Sequence, residues 1–135
     1  LVARTGERYL APGSCLLHGD YFPGSWLKTD AGVKVIDPEF SYWGDPEFDI
    51  ACVVAHLALS GHERTAWDAF YNAYRAAGRS SIDAALLGRF AGIEVMRRLI
   101  GVAQLPIPPS TGGRRARLLD RSRRAVLDGS VGKLW

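Results

Sequence analysis

Two periods of apolar and polar positions run along the chain, a short one near its start and a longer one over the rest. Trp26-Leu27-Lys28-Thr29 and Val33-Lys34-Val35-Ile36 are β-favouring runs on either side of Asp30-Ala31-Gly32, a pattern that predicts a hairpin. Cys15-Leu16-Leu17 is a shorter apolar run that stops at His18-Gly19-Asp20. Pro23-Gly24 then marks the stretch from Tyr21 to Ser25 as a loop. The second hairpin strand is expected to end before Pro38, which has no N–H to give to a ladder. The first dozen residues close on the turn signature Ala11-Pro12-Gly13-Ser14 and are assigned no element.

Beyond a loop containing Gly44 the period lengthens to that of a helix. A first helix opens at Pro46 or Glu47 behind Asp45, with Phe48, Ala51, Cys52, Ala55 and Leu59 at helical spacing. A second is expected from about His62 to Ala77, closed by Gly78. A third runs from about Ile82 to Gln104 with Leu86, Phe90, Ile93, Met96, Ile100 and Ala103 as its apolar face. Pro106-Ile107-Pro108-Pro109 breaks the pattern, and an Arg-rich helix follows from about Gly113 to Leu127. A small hairpin followed by four helices is an α+β fold dominated by helix.

Composition narrows the class. The 135 residues are 47% hydrophobic and 23% charged, an ordinary balance for one globular domain without repeats. That excludes collagen, low-complexity disorder and a disulfide scaffold. No apolar run approaches the roughly 18–20 residues of a membrane span. Net charge is +3, but only three of the seventeen basic residues are lysines. Cys15 and Cys52 lie in apolar settings without metal-ligand spacing, which reads as two buried thiols in a reducing, cytoplasmic compartment.

The chemistry concentrates around the hairpin. Asp20 precedes it, and Asp37 and Glu39 follow its second strand, so the three carboxylates are expected to converge. Residues two apart on an extended stretch share a side, which lets Asp37 and Glu39 reach one ion. Oxygen-rich surroundings without soft ligands suit Mg²⁺, which takes one or two carboxylates and completes its shell with phosphates and water.

The order His18-Gly19-Asp20, Ser25, hairpin, Asp37 resembles the catalytic and metal segments of the protein-kinase-like fold. The residues are similar to those of the aminoglycoside phosphotransferase and choline kinase branch, and within it to the 5-methylthioribose kinases. Gly24-Ser25 stands where other members have Gly-Asn, and Val35 to Phe40 reads Val-Ile-Asp-Pro-Glu-Phe in place of Asp-Phe-Gly. Met96-Arg97-Arg98-Leu99-Ile100-Gly101 resembles a paired-arginine segment that touches the sugar. The resemblance runs from about Leu16 to the C-terminal helix. It implies a small-molecule kinase using ATP and Mg²⁺, with Asp20 and His18 as the catalytic pair, Asp20 orienting the acceptor hydroxyl and His18 ordering the loop by hydrogen bonding in preference to acting as a base. Asp37, Glu39 and Ser25 would be metal ligands, and Arg97 and Arg98 substrate contacts. Asp49 would bond the backbone of the catalytic loop around Gly19. Tyr21-Phe22-Pro23 departs from the Leu-His-Thr of methylthioribose kinases.

Bland readings stand beside these. Arg97 and Arg98 also suit a surface ion pair with Glu94. Tyr42 and Trp43 either wall a substrate pocket or cap a core, and Asp49 also complements a helix N-terminus. The Arg114 to Arg124 cluster carries an apolar stripe of Leu118, Leu119, Ala125 and Val126 without interleaved aromatics, so a solvated helix face is expected and no nucleic acid or membrane partner. No Gly-rich loop or strand lysine stands where the fold's nucleotide clamp would be. The start at Leu1 therefore reads as the C-terminal lobe of a two-lobed kinase whose nucleotide lobe lies upstream. The isolated chain is expected to have little or no activity, and the full-length protein is a candidate homodimer. Rival classes are an aminoglycoside or other phosphotransferase, a non-catalytic binding remnant and a metal-dependent phosphohydrolase.

Overall fold

The fold turns on two antiparallel strand pairs nested one inside the other. A computed structural model describes residues 1–78, 81–106 and 113–135. Helix α1 (Val2–Leu10) is followed by β1 (Cys15–Leu17), β2 (Trp26–Thr29), β3 (Gly32–Val35) and β4 (Tyr42–Gly44). Helices α2 (Glu47–Ser60), α3 (Arg64–Ala76), α4 (Ala84–Ile100) and α5 (Arg114–Asp128) follow, and a 3₁₀ turn (Val131–Leu134) comes last. β2 pairs with β3 as the expected hairpin, while β1 pairs with β4 around it, Cys15 opposite Gly44 and Leu17 opposite Tyr42. The loop after β1 and the loop before β4 are thereby held side by side. Gly13 sits against this pair: a Cβ there would lie 1.9 Å from the Gly44 carbonyl carbon.

The helices form the body. α2 is buried almost all round, with Ile50, Ala51, Cys52, Val53, Val54 and Ala55 each at most 3% exposed. A helix apolar on every side belongs at the centre of a core rather than on its surface. Its end is a Schellman motif: Gly61, at φ 82°, donates to Ala58 O and His62 donates to Leu57 O. α4 packs against it through Leu87, Phe90, Ala91, Val95 and Leu99. Asp83 caps α4 by accepting from Ala85 and Leu86 N–H, and its own N–H donates to the buried Glu47 carboxylate at 2.7 Å. α5 crosses α4 where Gly88 and Gly92 leave no side chain; a Cβ on Gly92 would lie 2.6 Å from Ser122 O.

Several expectations are revised. The opening residues form α1, whose contact positions Val2, Thr5, Gly6 and Tyr9 recur at helical spacing, although two of the four are not apolar. Tyr42 to Gly44 forms a strand rather than loop, a pairing between segments too distant and short to announce itself. α4 ends at Ile100, where Gly101 caps it, and not at Gln104. Its buried face is rotated from the expected one: Met96 is half-buried and Ile100 exposed, while Glu94 and Arg98 are buried. Part of the expected proline break, from residue 107 on, lies outside the described residues. The basic cluster is partly structural, with Arg114 donating to Leu59 O and Arg115 to Leu99 O, both carbonyls at helix C-termini. Cys52 is buried and Cys15 half-buried.

Candidate active site

The loop after β1 is fixed by hydrogen bonds at nearly every residue. From the first turn of α2, Asp49 accepts His18 N–H on Oδ2 at 2.7 Å and Gly19 N–H on Oδ1 at 3.0 Å. Burial raises the Asp49 pKa, and these two N–H donors offset only part of that. His18 Nε2 donates to Ile36 O at 2.7 Å, and Asp20 N–H donates to Nδ1 at 3.3 Å. The two bonds assign a neutral ring with its proton on Nε2, because an N–H on Nδ1 would oppose the Asp20 N–H. His18 therefore ties the loop to the end of β3. Gly19 has φ 84°, and a Cβ there would stand 2.1 Å from Phe40 O, so the neighbouring loop leaves room for glycine alone. The buried Ser25 hydroxyl donates to Asp20 O at 2.9 Å.

This scaffold presents Asp20 to α4. Arg98 Nη2 donates to Asp20 Oδ1 at 2.7 Å, and Arg97 Nη2 lies 3.7 Å from the same oxygen. Behind them, Glu94 Oε2 accepts Arg97 Nε at 2.6 Å. Its Oε1 accepts Arg97 Nη2 at 2.9 Å and Arg98 Nε at 2.8 Å. The Arg98 guanidinium also lies 5.2 Å from the centroid of the Phe22 ring. The Phe22 ring packs on His56, whose Nε2 is 3.6 Å from Glu94 Oε1. Burial pushes the Glu94 carboxyl up, but His56 and the two guanidinium groups outweigh it and hold the group at about 2. The Arg97 pKa rises through its hydrogen bond to Glu94, against the opposing effect of burial.

Asp20, Glu94, Arg97 and Arg98 border a cavity of about 530 Å³ between α1, the loop after β1 and α4. That volume fits a small organic ligand. Its apolar wall includes Tyr9, Phe40, Phe48, Phe90 and Ile93. Glu94, visible in the sequence only as a surface ion-pair partner, is in fact 3% exposed and organises both arginines. The lining residues of α1 gave no signal, since no element was assigned there.

Other expected residues lie elsewhere. Neither Tyr42 nor Trp43 borders the cavity. Alternate strand residues point to opposite sides; Trp43 is 64% exposed beside Leu16, and Tyr42 packs its ring on Tyr9 and Phe48. The expected convergence of Asp20, Asp37 and Glu39 is also revised. Among the described residues no three His, Cys, Asp or Glu side chains stand close enough to share a metal ion. Asp20 is drawn to the arginines, while Asp37 and Glu39 are exposed on the neighbouring loop. Asp37 is the one non-glycine described residue with positive φ, at 59°. That left-handed conformation costs of order 1–3 kcal/mol and tends to occur where a side chain must be aimed.

A model of the phosphotransferase enzyme family matches residues 3–93. The chain is 31% identical to a methylthioribose kinase of Geobacillus sp. over 77% of its length, covering 34% of that protein. It is 30% identical to a methylthioribose kinase of Exiguobacterium sibiricum over 96% of its length, covering 41% of that protein. With a methylthioribose kinase of Escherichia coli it shares 42% identity over 51% of its length and 16% of that protein. The chain thus spans well under half the length of these curated relatives.

Proposed function

The chain belongs to the phosphotransferase enzyme family, and we propose that it is the acceptor-binding, catalytic lobe of an ATP-dependent kinase acting on a hydroxyl of a methylthioribose-like sugar. The observation that carries this reading is Asp20, held at the cavity on a hydrogen-bonded loop with its Oδ1 taken by Arg98. Both arginines approach Oδ1, which leaves Oδ2 to accept the acceptor's O–H and aim its oxygen at the γ-phosphate. Phosphoryl transfer has a loose transition state, so positioning and charge stabilisation do most of the work. His18 contributes by fixing the loop, not by taking the proton.

The acceptor class follows from the charges. The four charged groups at the cavity, Asp20 and Glu94 against Arg97 and Arg98, balance one another, which suits a neutral polyol. That the relatives are methylthioribose kinases supports the same choice.

Mg²⁺ usually keeps several waters and needs only one or two protein carboxylates. The exposed Asp37 and Glu39 carboxylates fit it without a three-residue cage, as does the Ser25 oxygen, whose proton is given to Asp20 O. Bound with the nucleotide, the ion would neutralise phosphate charge. None of the three lysines borders the cavity: Lys28 and Lys34 are exposed on the hairpin, and Lys133 pairs with Asp128 at 3.2 Å. A nucleotide-gripping lobe would therefore come from outside this chain.

The test is a transfer assay in the full-length protein with ATP and methylthioribose, an aminoglycoside or choline. Turnover is expected with the sugar and to fall by about 10²-fold or more in Asp20→Asn. Normal turnover in Asp20→Asn, or phosphorylation of choline or the aminoglycoside in place of the sugar, would overturn the reading.

A further inference from the structure

Gly6 lies in the middle of α1 with no reason in the fold for lacking a side chain. It is not among the glycines with positive φ, and a Cβ built on it would meet no neighbouring atom within 4 Å. Gly19 and Gly92, by contrast, would each drive a Cβ into backbone. Glycine inside a helix is less stable than alanine because it surrenders more backbone entropy. The feature it does face is the cavity, which it borders together with Val2, Thr5 and Tyr9 of the same helix. α1 brings no charged group to that wall, whereas α4 and the catalytic loop bring all four. The cavity therefore has two chemistries, a charged quartet for hydroxyls and an uncharged helical wall.

We infer that α1 is the specificity wall of the acceptor site and that the missing side chain at Gly6 sets the size of the acceptor's apolar substituent. The ligand class is a neutral polyol carrying an alkyl or thioether group, with that group lying against Val2, Gly6 and Tyr9. This rests on the acceptor reading above, but the wall can be probed separately from the hydroxyl end.

The experiment titrates the 135-residue chain with methylthioribose, ribose and ethyl methyl sulfide, by calorimetry for the sugars and saturation-transfer NMR for the sulfide. The variants are Gly6→Leu, Gly6→Ala and Ala3→Leu, the last placing a leucine at an exposed α1 position away from the cavity. Gly6→Leu is expected to weaken methylthioribose about ten-fold more than ribose, the worth of one or two buried methylene-sized groups. It should also abolish the sulfide contact, with Ala3→Leu unchanged and Gly6→Ala melting higher than the parent. Equal affinities in the folded Gly6→Leu variant, or an equal loss in Ala3→Leu, would overturn the inference. If the parent chain binds the sulfide in a Gly6-sensitive way but neither sugar, the wall stands and the acceptor reading falls. If it binds none of the three, the wall falls too.

Discussion

Glu94 carries its charge inside the helical layer, and what surrounds it decides whether that is tolerable. A buried carboxylate alone would protonate; here two guanidinium groups donate to both of its oxygens. Its folded pKa of about 2 lies below the ordinary 4.5. A depressed carboxylate pKa stabilises the fold above the unfolded value, and that contribution is lost as pH falls through the folded one. The window is therefore pH 4.5 down to about 2, and the size roughly 3 kcal/mol. Glu94→Gln should unfold at lower denaturant concentration than the parent at pH 7, with the gap closing as pH drops through that window. A constant gap in urea titrations across that range would show that the ionised carboxylate is not what holds the arginines. Removing one partner of such a cluster is costly because it strands buried charge.

At the scale of elements, α4 and α5 approach through a glycine seam. Gly92 would place a Cβ 2.6 Å from Ser122 O and 2.7 Å from Val126 Cγ2, and Gly88 would place one 2.3 Å from Ser130 N. Alanine normally strengthens a helix relative to glycine. At Gly92 the overpacking should win, because backbone atoms of α5 cannot step aside as a flexible side chain can. Gly92→Ala is expected to destabilise by roughly 1–3 kcal/mol in chemical denaturation. An unchanged or raised midpoint would mean that α5 sits farther from α4 than described. The same substitution thus has opposite expected signs at Gly6 and Gly92, and the environment of the missing Cβ sets the sign.

At the scale of the molecule, the β1–β4 ladder sets the loop after β1 and the loop before β4 side by side, and α2 anchors the first to the helical body. Asp49 is that anchor, accepting two backbone N–H groups of the loop from a helix whose other faces are core. Asp49→Ala should speed amide exchange at His18 and Gly19 by about ten-fold or more while core amides of α2 keep their protection. If those two amides stayed as slow as in the parent, the loop would be held by His18 and Gly19 contacts alone.

The sequence by itself determined the hairpin and the position of four helices, and it named candidate reactive groups. The hairpin at Trp26 to Val35 follows from alternation about a Gly-containing turn, and α2, α3 and α5 follow from periodicity and their glycine or acidic flanks. Asp20, Arg97 and Arg98 could be named as candidates because their residue types and order carry a chemical pattern. What only the tertiary structure decided is which of these groups meet. Trp43 looked like a pocket wall and points away from the cavity, since a three-residue pairing with β1 fixes its side. Glu94 looked exposed by its charge and is buried, since the arginines one turn on and Asp20, 74 residues earlier in the chain, satisfy the cluster together. Periodicity reports apolar burial one element at a time. Burial of charge depends on partners brought from elsewhere in the chain, and no local pattern contains that information.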